Sequence, residues 1–415
     1  MPIHTIPETF GVLGGSGLPL CESRSLFQSR FADPQAKDEK DRTPRKDWFN
    51  SLLKRKAQSA TGSDWLPANA TQLHAQLMSR LIVDLGGGVM ENANVNLDRY
   101  GLPLVPGSAV KGCARRMALQ ALHDWIAAGN DRPAEDDACS PCCEGFSTPA
   151  EMLAAIARVF GWVEKDWEAG KKEGLFRSDF GWACGESHEK TWAEAARHLA
   201  QAFAWKLPEE TPWKKLPNFA GTIAFLPASP NADPGLELDV VTPHHTEYYQ
   251  STNPNAVATD TEDPVPVFFP AIKPQREQDY FTFPLIPLLR AKGGDLDLAK
   301  RWLAHGLELF GLGAKTAAGY GWFLPISDED KAEAEQAASI AASDYANDIF
   351  FKNLVLGKLN PGSLNQLEPE IGKLRKPENE AWRNKLIDFI RTKDMKDIRK
   401  RLKEKDWFPE DWLPQ

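Results

Sequence analysis

Two glycine-bearing segments carry the residue types that could hold a phosphate chain. The first is Pro106 to Arg116, where Gly107 permits close approach of a backbone or a ligand and Ser108 is placed to cap a helix. A helix N-terminus offers free backbone N–H groups and the positive end of a dipole. Lys111 and Arg115 are four apart, so they share a helical face, with Arg116 beside them. Such a constellation suits a phosphate or an extended phosphodiester. An ordinary capped helix with solvated charges has the same letters. The second segment is Gly311 to Gly321, which contains Gly313, Lys315 and Thr316. No glycine precedes Lys315 as in a Walker loop, and Thr316 stands where a dinucleotide fingerprint needs its third glycine. What remains is a turn that can lay backbone amides against a phosphate chain, or a plain helix-to-strand connection.

Three other groups have residue types that could carry chemistry. Cys139 and Cys142 have metal-ligand spacing, Cys143 is adjacent, and Cys184 with His188 could complete four ligands. The long separation favours free thiols in an insertion, so no metal and no cofactor is assigned. His244 and His245 are adjacent, and neighbours on an extended chain point to opposite faces, which disfavours a shared metal. No Ser or Cys nucleophile signature accompanies them, so packing or RNA contact is preferred to acid–base work. Trp382, Phe389, Trp407 and Trp412 are interleaved with Lys and Arg, a pattern that suits single-stranded RNA but equally a helix packed on its own domain.

The charge distribution narrows the partners. The chain of 415 residues carries a net −9, yet residues 371–405 hold 13 Lys or Arg against 6 Asp or Glu, a local +7 that leaves −16 elsewhere. Bulk nucleic-acid binding is disfavoured, while a local basic site within an acidic shell is allowed. No run of about 18 apolar residues is present, so no membrane helix is expected. No secretory signal is read at Met1-Pro2-Ile3-His4, and six cysteines fit a reducing cytoplasm.

These groups need elements to position them. Residues 1–60 read as an irregular N-terminal arm or lid, 61–327 as the core domain with an insertion at 130–218, and 328–415 as a helical basic extension. Period-2 runs predict strands at Leu77–Val83, Gly221–Leu226, Leu236–Val241 and Tyr280–Ile286, with a short closing strand at Trp322–Leu324. Residues 251–278 read as a polar, Pro-rich loop. Val110, Ala114, Met117, Ala118, Ala121, Leu122 and Trp125 form one helical stripe between Ser108 and Gly129. Ala299, Trp302, Leu303, Gly306, Leu307 and Phe310 form a second over about 295–310. Without the insertions the order is strand, helix, strand, strand, helix, strand: an α+β, ferredoxin-like or RRM-like core.

The two glycine segments together resemble the motifs of the RAMP superfamily, the proline-glycine-serine, lysine-glycine and arginine pattern at Pro106–Arg115 and the glycine-rich loop at Gly311–Gly321. Leu236–His245, Tyr248-Tyr249, Asp263–Val267 and Phe225–Pro230 carry a narrower resemblance to the sixth-subunit family of Cmr (type III-B CRISPR) RNA-guided effectors. The resemblance covers roughly residues 65–325. It implies a non-catalytic end subunit of the backbone filament that contacts the 3′ part of the guide RNA and the guide–target duplex. It further implies other RAMP backbone subunits and the small helical subunit as partners. Gly107, Ser108, Lys111, Arg115, Arg116, Gly311, Gly313, Lys315, Thr316, His244 and His245 would then face RNA. The alternative within the superfamily is a metal-independent endoribonuclease that processes CRISPR RNA through His244 or His245.

Overall fold

Arg24–Arg30 (α1) and Thr43–Leu53 (α2) are helices within the stretch expected to be an irregular arm. Phe27, Trp48, Phe49 and Leu52 are buried in the main core, and the Phe27 and Trp48 rings stack 5.6 Å apart. Burial of four large apolar side chains contributes several kcal/mol, which outweighs the polar composition around them. Arg24 is 2% exposed and donates to both carboxylate oxygens of Asp233 and to the carbonyls of Arg55 and Gly101, tying α1 to the rest of the fold. The computed structural model describes residues 22–30, 43–57, 66–86, 94–129, 138–186, 188–242, 245–259, 266–276, 279–327, 331–332, 364–375, 383–384, 386–387, 390, 395–409 and 412–413. It forms two compact units, Met1–Lys331 and Ala332–Gln415.

In the first unit the elements that follow are Thr71–Leu77 (β1), Gly107–Ala127 (α3), Pro149–Phe160 (α4), Asp179–Cys184 (α5) and His188–Phe203 (α6). Then come Ile223–Phe225 (β2), Leu236–Val241 (β3), Val267–Ile272 (β4), Phe281–Pro287 (β5), Asp295–Leu309 (α7) and Phe323–Ile326 (β6). The main sheet is antiparallel with order β2-β5-β1-β6. Leu73, Ala75 and Leu77 of β1 alternate onto one buried face, opposite Phe283, Phe281 and Phe323. Helices α3 and α7 pack on each other and against the sheet. Every residue of the α3 stripe is buried, as is the α7 stripe apart from the partly buried Phe310.

Two strand expectations change. The first strand lies at Thr71–Leu77, upstream of the expected Leu77–Val83; of the later residues only Leu81 makes a bridge, to Ile272. Gln72, His74 and Gln76 alternate with Leu73, Ala75 and Leu77, so the strand pattern lies just upstream of the expected run. Within the expected loop 251–278, Val267–Ile272 is a strand that pairs with β3 in a two-stranded sheet. Pro270 is tolerated there because at its position β4 pairs with β3 alone.

The insertion is not a loose addition. Trp162, Trp167, Trp192 and Trp213 are buried in the same core as the sheet, linked by edge-to-face contacts. Among the described residues no helix is long and apolar enough to cross a membrane.

The second unit contains helices Glu368–Leu374 (α8) and Lys396–Leu402 (α9). It has its own core of Leu367, Ile371, Leu386, Ile390, Leu402 and Trp412, with Trp407 packed against it. Trp412 therefore serves packing and offers no open stacking face; Trp382 and Phe389 lie outside the described residues. Since each unit has a separate core, deletion of 343–415 is expected to leave the cooperative melt of the first unit in place. Calorimetry of the truncated chain checks this, and a lost transition would show that the cores depend on each other.

Candidate nucleic-acid interface

Helix α3 begins at Gly107, with Pro106 as its N-cap at φ −59° and ψ 140°. Ser108 was expected to cap this helix but sits inside its first turn, exposed and without a capping bond. Proline is preorganised for this boundary, so the helix starts two residues earlier than a Ser108 cap would give. A Cβ on Gly107 would lie 2.2 Å from the Phe225 carbonyl oxygen, so the close approach that this glycine permits is to the protein backbone. Further along, Gly306 of α7 faces Cys113 and Met117 and lets the two helices cross closely.

The glycine-rich loop follows α7 and is held from within. Gly311, Gly313 and Gly321 have φ of 66°, 98° and 69°, which other residues rarely adopt. The amide of Leu312 donates to Gly321 O at 2.8 Å, that of Ala314 to Ile82 O at 2.8 Å and that of Gly321 to Arg80 O at 2.7 Å. These three amides fix the loop shape and are not themselves available to cradle phosphates. Lys315, itself left-handed at φ 59°, holds its ammonium 4.3 Å from the centre of the Phe269 ring on β4.

The loop and α3 nevertheless enclose one groove of about 500 Å³, lined by Asp84, Pro106, Arg116, Gly311, Gly313 and Thr316 among others. Cys113 lines it too, with Sγ 3.5 Å from Gly311 O and a thiol pushed up to about 12 by burial, so it stays neutral. The exposed Arg116 guanidinium lies 4.1 Å over the Phe310 ring. Asp84 accepts from Asn94 Nδ2 at 3.1 Å.

Lys111 and Arg115 do not join this groove. At about 100° per residue, the Ala109–Gly112–Arg116 face and the Lys111–Arg115 face are turned about 110° from each other around α3. Arg115 is set between Asp166, at 3.1 Å, and Asp179, and lies over the Phe180 ring. It is thus a strut to the insertion and not an open phosphate ligand. Lys111 is half-buried in a separate cleft.

The loop is also tied to the β3–β4 hairpin by a network that the sequence did not single out. Arg80 pairs with Glu237 and, at 3.0 Å, with Asp239, which accepts the Tyr320 hydroxyl at 2.5 Å. Desolvation pushes the Asp239 carboxyl up, but the Tyr320 hydroxyl, the Val240 amide and Arg80 outweigh it and hold it below the usual carboxylate range. Desolvation and the Asp239 carboxylate raise the Tyr320 hydroxyl. The only signal in the sequence is the acidic alternation of Glu237 and Asp239 on one strand.

Among the described residues no group of three or more His, Cys, Asp or Glu is arranged to hold a metal, so Cys139, Cys142, Cys184 and His188 are not brought together as a ligand set. Burial pushes the Cys142 and Cys184 thiols up to about 12. His245 precedes the short helix Thr246–Gln250, and its buried Nδ1 has no partner among the described residues; His244 lies outside them.

Residues 12–323 match the family model of the RAMP superfamily. The curated protein "CRISPR system Cmr subunit Cmr6" of Pyrococcus furiosus is 29% identical over 259 residues, covering 59% of this chain and 64% of that protein's length. The crystal structure of Cmr6 from Pyrococcus furiosus is 25% identical, with a TM-score of 0.30, and the match covers 63% of this chain and 100% of that one. A cryo-EM structure of the type III-B Cmr-β bound to cognate target RNA matches at 14% identity and a TM-score of 0.38, over 77% of this chain and 86% of that one.

Proposed function

The chain belongs to the RAMP superfamily, and from that membership we propose that it is a non-catalytic, RNA-binding end subunit of a type III-B CRISPR (Cmr) effector complex. The observation that carries this is the convergence of the two glycine segments, about 200 residues apart, on one groove beside an exposed arginine. The 29% identity to the Cmr6 protein supports the narrower assignment. The order β2-β5-β1-β6 with α3 and α7 as crossovers supports reading the core as ferredoxin-like. In this reading Arg116, Thr316 and the Gly311–Gly313 edge meet phosphates and sugars of the guide RNA, Lys315 braces the hairpin beside them, and His244 and His245 contact RNA or pack. Partners are the guide and target RNA, other RAMP backbone subunits and the small helical subunit, in the cytoplasm. A guide of arbitrary sequence must be held by its backbone, which suits Arg, Thr and small residues over base-edge readers.

Tagged purification from the native host, with mass spectrometry and RNA sequencing, tests the proposal. Co-purifying RAMP subunits and repeat-derived guides are expected; a lone protein free of RNA would overturn it. Cleavage of repeat RNA in EDTA, lost in His244→Ala or His245→Ala, would replace it by the endoribonuclease reading. Arg116→Ala with Thr316→Ala is expected to weaken guide retention and to reduce the slope of log K against log salt by about 0.7, the value for one phosphate contact on a single strand. Filter binding across a salt series measures it.

A further inference from the structure

Trp322 is 50% exposed, the only tryptophan among the described residues that is not at least partly buried. Leaving so large an apolar ring in water forgoes the burial that the other described tryptophans obtain. Strand alternation puts it there. Phe323 at the start of β6 is buried opposite Leu77, so Trp322 and Leu324 on either side of it fall on the other face of the sheet, and Leu324 is exposed as well. The Met78 amide donates to the Trp322 carbonyl at 2.8 Å, which places the exposed Met78 next to Trp322 at the end of β1. The Trp322 amide in turn donates to Ser79 Oγ at 3.0 Å, so the backbone that carries the indole is held at both its polar groups. A Cβ on Gly311 would lie 3.2 Å from Trp322 Cδ1, so one edge of the ring rests against a glycine that lines the Arg116 groove. The indole itself makes no ring contact, cation contact or hydrogen bond among the described residues.

We propose that Trp322 is a stacking platform for one base of the RNA strand whose phosphates the Arg116 groove holds. A strand that leaves the groove over Gly311 meets the indole next. Every base has a flat π-face, so stacking serves a strand of arbitrary sequence, as phosphate contacts do. The patch has the size of a base: Met78, Trp322 and Leu324 are three side chains, flanked on β1 by the partly buried Gln76. A stable protein interface takes about 20–30 residues a side. Arg80, two residues beyond Met78, adds no free charge here, because Glu237 and Asp239 pair with it. The contact is therefore stacking without an ion pair. This inference rests on the RNA-binding reading above and adds a base contact beside its groove.

The test compares the full chain with its Trp322→Ala and Trp322→Phe variants on two single-stranded RNAs of one length, an intact strand and one in which abasic sites remove the bases but keep every phosphate. On the intact strand Trp322→Ala is expected to weaken binding about tenfold, at the low end of what stacking on one base is worth. Its slope of log K against log salt is expected to stay that of the unaltered chain, since no phosphate contact is lost. Trp322→Phe keeps a ring and is expected to retain part of the affinity. On the abasic strand all three proteins are expected to bind equally. Equal affinities of the three for the intact strand would overturn the platform and leave the RNA-binding reading standing. The same loss on both strands would show that Trp322 acts through the fold and not through a base, and would overturn it too. Unchanged RNA affinity together with loss of a co-purifying subunit from the Trp322→Ala variant would assign the patch to a protein partner instead. Failure of the unaltered chain to bind either strand would overturn the RNA-binding reading as well.

Discussion

Asp295→Ala is expected to destabilise the first unit by about 3–5 kcal/mol, the cost of breaking a buried ion pair from one side. Asp295 is fully buried at the start of α7. One carboxylate oxygen accepts from Arg158 Nε at 2.8 Å and lies 2.7 Å from its second nitrogen. The other accepts from the Thr222 hydroxyl and the Lys292 amide, each at 2.9 Å. One side chain thus ties α7 to α4, to the residue before β2 and to its own preceding turn. Removal leaves a largely buried guanidinium, a hydroxyl and an amide unpaired together, so the loss exceeds that of any single hydrogen bond. Asp295→Asn keeps the shape and part of the bonding, and its loss is expected to be smaller. Urea unfolding midpoints of both variants decide it. A change under 1 kcal/mol in the alanine variant, the range of an exposed pair, would show that solvent reaches the network.

The second large effect is expected at Gly321→Ala. Gly321 has φ 69°, and a Cβ there would sit 1.9 Å from the Leu312 carbonyl oxygen, a backbone atom that cannot swing aside. The left-handed conformation alone costs an alanine about 1–2 kcal/mol. Gly319 provides the control: its φ is 86°, but a Cβ there meets nothing within 4 Å. Gly319→Ala is therefore expected to show the conformational cost only. Gly321→Ala is expected to cost about 3 kcal/mol or more and to open the hydrogen bond between Leu312 and Gly321 that closes the loop. RNA retention is expected to fall with it, because Gly311 and Gly313 then lose their place in the groove. Equal melting temperatures for the two variants would show that the loop yields and that its closure is not rigid.

The amino-acid sequence by itself determined the two long core helices, α3 and α7. Apolar residues at a period of about 3.6 over long helices, as at Val110 to Trp125 and Ala299 to Leu307, survive in any context that offers an apolar partner, and they lie buried against each other. The turn at Gly311–Gly321 was legible for a similar local reason, since Gly311, Gly313, Gly319 and Gly321 take the positive φ that glycine adopts most readily. The tertiary structure alone decided what those residues face. Which side of α3 meets the glycine-rich loop follows from the crossing with α7 at Gly306, and that crossing sends Arg116 to the groove and Lys111 to the cleft. Arg115 became a strut only because Asp166 and Asp179, distant in sequence, fold beside it. β1 lies at Thr71–Leu77 and not at Leu77–Val83 because β5 and β6 pair with it there, a choice between adjacent runs that local alternation does not make. The docking of α1 and α2 is not written in local periodicity: Phe27, Trp48, Phe49 and Leu52 join the main core, and Arg24 meets Asp233, 209 residues away. Local periodicity is a property of neighbouring residues, whereas pairing of charges and donors depends on distances that only the folded chain brings within reach.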